Sequence, residues 1–150
     1  MALTGDTGNG TTLTFAANMG FGTATASMTC TTINQGEQTT GVVDVSTLAT
    51  TDCMESIPSD LREVGESSAT FKWLTTTATT VACQPSLPGA AGSITLTYPS
   101  RTGETTAATY IGTGFITGLT PPSLANGELQ MGEIKWKYDG ETGPTFAGSA

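Results

Sequence analysis

The chain has 150 residues, a formal net charge of −8, and charged residues at only 12% of its positions, against roughly a quarter in an ordinary soluble domain. That length suits one domain with a real core. Only Arg62, Lys72, Arg101, Lys135 and Lys137 are positive, and they are scattered. This excludes a basic nucleic-acid patch, and the absence of histidine removes the common Ser–His and Cys–His nucleophiles.

Threonine makes up about a fifth of the chain, well above its usual share, and its branched Cβ favours strands over helices. Nineteen glycines and seven prolines supply punctuation. The reading is therefore mainly β. Residues 1–10 are small and polar and read as a flexible N-terminal arm. Residues 11–15 form a strand, 18–22 a loop around Met19 and Phe21, and 23–33 a second, threonine-rich strand region. Asn34-Gln35-Gly36-Glu37 is a turn signal. Residues 41–45 form a short strand through Val42, Val43 and Val45, ended by Asp44, Ser46 and Thr47, whose side chains compete for nearby backbone donors.

Residues 47–68 show no strand alternation and read as a long loop. Within it, Pro58-Ser59-Asp60 could open a helical turn that Gly65 stops. Residues 69–74 alternate cleanly, with Ala69, Phe71 and Trp73 on one face. Residues 75–84 carry the one candidate for a short helix, stopped by Pro85, Pro88 and Gly89. Residues 93–98 form the clearest strand, with Ile94, Leu96 and Tyr98 on one side. A turn over 99–104 leads to a long strand over 106–119. There Ile111 and Phe115 share one face, Tyr110 and Ile116 the other, and Gly112 and Gly114 mark a bulge or bend. After a loop over 121–127, residues 128–138 form the last strand. Ile134, Trp136 and Tyr138 oppose Glu133, Lys135 and Lys137, and a bulge at Gly132 would re-register Leu129 and Met131. Residues 147–150 read as a short C-terminal tail of a domain spanning 11–146. About seven turn-separated strands suit a sandwich or small barrel.

Little in the chain points to chemistry. Gly112 to Gly118 has the spacing G-x-G-x-x-x-G, without the helix that a phosphate cradle needs. The carboxylate pairs Glu63/Glu66 and Asp52/Glu55 lie in a polar stretch, where nothing desolvates one member to shift its pKa. Cys30, Cys53 and Cys83 are odd in number and lack C-x-x-C spacing, so neither a disulfide framework nor a zinc site is expected. Asn9-Gly10-Thr11 matches a glycosylation sequon without a visible secretory leader. No apolar run approaches membrane-spanning length. No catalytic residue, cofactor or metal is therefore expected. Phe71, Trp73, Tyr98, Phe115 and Trp136 are expected in the core.

One pattern is more specific. The strand ending Asp44-Val45-Ser46-Thr47 leads through a polar excursion with an Ile57-Pro58 step into the strand at 69–74. This resembles the major tail tube proteins of long-tailed, siphovirus-like bacteriophages. The segment Ser93-Ile94-Thr95-Leu96-Thr97-Tyr98-Pro99, the strand from Tyr110 to Leu119 and the closing Glu141-Thr142-Gly143-Pro144-Thr145 are similar to that family in order and spacing. The resemblance implies a β-sandwich or barrel subunit that stacks as hexameric rings into a hollow tube, through which DNA passes without specific binding. It also implies a virion location, assembly in the host bacterial cytoplasm, and partners among other tail proteins (tape measure, terminator, distal tail). Inter-subunit contacts would then come from Asp44, Ser46, Thr47, Asp52, Ile57, Pro58, Asp60, Arg62 and Glu63. The alternatives are another virion β-protein (a capsid decoration protein or tail terminator) and a carbohydrate-binding β-sandwich module.

Overall fold

The computed structural model describes residues 10–20, 25–28, 30–49, 51–73 and 89–150. The expected arm over 1–9 and the expected helix over 75–84 lie outside them. Among the described residues there are ten strands and no helix. They are β1 (Thr12–Phe15), β2 (Ala26–Met28), β3 (Cys30–Asn34), β4 (Gln38–Asp44) and β5 (Ser56–Val64). There follow β6 (Ser67–Lys72), β7 (Gly92–Thr97), β8 (Thr109–Thr120), β9 (Met131–Tyr138) and β10 (Thr145–Ala147).

Eight strands make one antiparallel sheet in the order β2-β1-β7-β8-β9-β6-β3, with β10 added along β8. The two ends of that path, β2 and β3, are consecutive in the chain and separated by a single residue. The sheet must therefore curl until its ends meet, which makes a closed barrel and leaves few open edges. Ring geometry shows the same curl. Phe15 on β1 and Trp136 on β9 meet edge-to-face at 5.8 Å, although two strands separate theirs. In a flat sheet that separation would be about 14 Å.

The interior follows from alternation. Leu13 and Phe15, Ile94 and Leu96, Ala69 and Phe71, and Ile134, Trp136 and Tyr138 point inward and are buried. Met19, in the turn after β1, plugs the same core. On β8 the buried parity is Tyr110, Gly112, Gly114 and Ile116, and this sends Phe115 outward at 39% exposure. Phe115 thus corrects the expectation that it packs in the core. Phe71 and Trp136 are buried there, while Trp73 and Tyr98 are half-buried at its margin.

The glycines of β8 and β9 also differ from the expected bulges. Gly112 and Gly114 pair in regular register with Ile94 and Gly92, and Gly132 pairs regularly with Phe71. The register shift on β8 falls between Ile116 and Gly118. The glycines serve close packing instead. A Cβ on Gly114 would come within 2.3 Å of the Lys137 carbonyl oxygen, and one on Gly132 within 2.8–2.9 Å of the Trp73 and Phe71 rings.

The C-terminal segment is tied down rather than trailing. Its first residue, Ala147, closes β10, and the Ala150 oxygen accepts hydrogen bonds from the Thr105 and Thr106 N–H groups at 2.7 and 3.0 Å. Between β9 and β10 the chain loops out around Thr113. The Asp139 N–H donates to the Thr113 carbonyl, the Thr113 N–H donates to the Thr142 carbonyl, and the Thr113 hydroxyl donates to Asp139 Oδ1 at 2.7 Å.

A candidate assembly surface

The remaining two strands, β4 and β5, form a separate two-stranded antiparallel ribbon. The expected loop over 47–68 is therefore corrected. Only residues 45–55 connect the ribbon's strands, residues 56–64 are β5, and 67–68 already belong to β6. The expected helical turn from Pro58 is part of β5. Pro58 pairs with Val42 beside a register shift between Thr40 and Val42, and β5 is an edge strand, where the missing N–H is tolerated.

The ribbon leaves the barrel through a narrow neck. A Cβ on Gly36 would overlap the Gly65 carbonyl, so two side-chain-free residues let the backbones touch. The Gly65 N–H donates to the Glu37 carbonyl at 2.9 Å, and the Gly36 N–H donates to Ser67 Oγ at 2.8 Å. Two amides clamp this region onto the barrel mouth. Gln35 Nε2 donates to the Tyr98 hydroxyl at 2.7 Å, and Gln38 Nε2 to the Tyr110 hydroxyl at 2.8 Å. Arg62 Nη1 donates to Gln38 Oε1 at 3.1 Å, and Lys137 stands 3.9 Å from Glu63. A groove of about 760 Å³ runs between the ribbon and the β9–β10 loop, bordered by Arg62, Glu63, Lys137 and Pro144.

Beyond the neck the ribbon is wet on both faces. Every residue of β4 is exposed, and so is every residue of β5 except Ser59 and Val64. Its far end is ordered by local bonds. The Ser46 N–H donates to Asp44 Oδ1 at 2.8 Å, and the Glu55 N–H donates to Ser46 Oγ at 2.7 Å. The Ser46 backbone N–H, with its hydroxyl, holds the Asp44 carboxyl below its ordinary range. Val42, Leu48, Met54 and Leu61 are each more than 70% exposed. A ribbon of two strands with no buried face is at best marginally stable in water, and apolar side chains clustered on such an element mark an interaction surface.

All nine contact candidates read from the sequence stand on this ribbon or its tip: Asp44, Ser46, Thr47, Asp52, Ile57, Pro58, Asp60, Arg62 and Glu63 are exposed. The sequence reading missed their apolar companions Val42, Leu48, Met54 and Leu61. The available signal was isolated large apolar residues in a segment without alternation.

Nothing reactive is gathered elsewhere. Among the described residues no three His, Cys, Asp or Glu side chains are placed to hold a metal. Burial pushes the Cys30 thiol up to about 11, which keeps it protonated and unreactive near neutrality. The aromatic residues do not line up as a sugar platform. Trp136 and Tyr138 are buried, Trp73 stacks on Phe71 at 5.8 Å, and Tyr98 meets Phe146 edge-on.

The fold itself has known counterparts. No family model and no curated protein matches the sequence. Among solved structures, the chain is similar to one in the sheath/tube terminator of an extracellular contractile injection system, PVC, in its extended state. The TM-score is 0.69 at 10% identity, over 98% of this chain and 99% of that one. It is also similar to a chain of the anti-feeding prophage tube-terminating cap (TM-score 0.66, 13% identity, 99% and 95% covered). A third likeness is to the sheath–tube complex of the PVC system (TM-score 0.64, 11% identity, 92% and 88% covered). The mainly β, tail-tube-related fold implied by the sequence resemblance is therefore that of the molecule. These counterparts come from contractile systems, whereas the resemblance implied long-tailed, siphovirus-like phages.

Proposed function

We propose that this chain is a non-enzymatic structural subunit of a phage-tail-type particle, and that it closes the end of the tube as a terminator. The observation that carries this reading is the ribbon: an ordered, apolar, doubly exposed element projecting from a closed barrel. Such an element gains its stability from a neighbour, and a subunit that needs neighbours on distinct surfaces is built for assembly. Likeness to chains of a sheath/tube terminator and of a tube-terminating cap supports the end-of-tube role over the repeating one.

A second reading is favoured by the sheath–tube likeness and by the motif order from Asp44 to Thr145. Here the chain is the repeating subunit, stacked as hexameric rings around a lumen that DNA traverses. Electron microscopy of the purified protein with light-scattering mass measurement separates the two. Rings that stop at one or two layers support the terminator. Hollow filaments that lengthen with concentration support the repeating subunit. Monomers that persist across salt and concentration count against both.

A further inference from the structure

The charge of the chain is divided unevenly. Seven of its thirteen carboxylates, but only one of its five cations, lie between residues 37 and 66, so the neck and ribbon carry −6 of the net −8. Three of the other four cations gather on one wall of the barrel. Gly132, Ile134, Trp136 and Tyr138 of β9 face inward, which sends Glu133, Lys135 and Lys137 outward. Ser67, Ala69 and Phe71 of β6 face inward, which sends Lys72 outward. Register places β6 beside β9, with Ser68 opposite Lys135 and Lys72 opposite Met131. Lys135 and Lys137 are nearly half exposed, and their nearest carboxylates are distant, at 4.0 and 3.9 Å. Leu129, just before β9 at the Lys72 end, is also exposed.

We infer that the ribbon tip of one copy docks on the Lys72–Lys135–Lys137 wall of a second copy. Asp44, Asp52 and Glu55 would meet the lysines, and Leu48 and Met54 would cover Leu129. The inference rests on the assembly reading above and names its contact. The acceptor wall is another copy's because Lys72 lies at the end of β6 away from the neck. Ser67 touches the neck through Gly36, and Lys72 is five residues further, about 17 Å along the strand. Donor and acceptor are different surfaces, so the contact is heterologous and propagates into a ring or a stack rather than closing as a two-fold dimer. Charge pairing sets register and partner choice, while the apolar tip supplies the water-excluding centre.

Charge reversal tests it. Asp52→Lys/Glu55→Lys and Lys72→Glu/Lys135→Glu are each made in the full chain, with folding checked by circular dichroism. Particle mass and images are then compared with wild type at about 50 and 500 mM salt. The expected result is assembly of wild type that weakens at high salt, loss of assembly in each variant alone, and recovery when the two reversals are combined in one chain. Cys53, exposed at the tip, should label with a thiol reagent more slowly in assemblies than in the variants. Variants that assemble like wild type, or a combined chain that fails to recover, overturn this contact and leave the assembly reading standing. A wild type that never assembles overturns that reading instead.

Discussion

The barrel and the ribbon are both antiparallel β, yet they obey opposite rules. In the barrel each strand has a dry face and a wet face, and the dry faces meet in one core around Trp136, Phe15 and Phe71. In the ribbon both faces are wet, and the apolar side chains point into solvent. The barrel holds itself together by burial. The ribbon is held at its neck, by backbone contacts between Gly36 and Gly65 and by the Gln38–Tyr110 clamp, and is otherwise unfinished. A single chain thus contains a completed part and a part whose stabilisation lies outside the molecule.

Truncation should expose that contrast most strongly. Trp136→Ala removes a fully buried ring from the barrel and should cost about 3–5 kcal/mol, read from urea unfolding followed by tyrosine fluorescence and circular dichroism. A smaller loss, about 1–3 kcal/mol, is expected for Gly114→Ala, because the obstructing atom is a backbone oxygen that cannot swing away. Its counterpart Gly118→Ala, with open space at its Cβ, should stay within about 0.5 kcal/mol. If both alanines cost the same, close packing is not what Gly114 provides.

Next comes the clamp between the two regions. Gln38→Ala removes a bond to Tyr110 and the acceptor of Arg62. It should cost about 0.5–1.5 kcal/mol and speed amide exchange at the neck while leaving the barrel protected. In alkali, burial pushes the Tyr138 hydroxyl up to about 12, from an ordinary value of 10.0. A raised folded-state pKa means that the folded form keeps its proton while the unfolded form loses it. Stability is therefore full below pH 10 and falls from there to about 12. Absorbance titration of the tyrosines should show this late phenolate, and Tyr138→Phe should flatten that limb. The smallest effect on the isolated subunit is expected at the ribbon. Leu48→Ser should change unfolding by less than about 0.5 kcal/mol while diminishing assembly seen by light scattering. A large stability loss there would mean that the ribbon is already covered within its own chain.

What could be read from residues alone follows from this division. Residues 93–98 and 69–72 were legible because one face of each strand is buried, so polarity alternates with the backbone. Residues 56–64 were not legible as a strand. With water on both faces, no alternation is imposed, and Pro58-Ser59-Asp60 before Leu61-Arg62-Glu63-Val64 imitates a helix start. Phe115 was misplaced because an aromatic residue on a long strand is ambiguous between faces until its neighbours set the parity. The glycines of β8 and β9 were visible as exceptions, but their reason was hidden, since the Lys137 carbonyl and the Phe71 and Trp73 rings come from other strands.

The amino-acid order alone determined a threonine-rich β chain, the inward faces of its clearest strands, the absence of a histidine-based site, and a mid-chain segment unlike the rest. Tertiary structure alone decided that β2 and β3 close the sheet into a barrel and that the unusual segment is a ribbon with an acidic, apolar tip. The physical reason is that local patterning records which side of a strand is dry. Closure, cross-strand contact and exposure on both faces depend on partners distant in the chain.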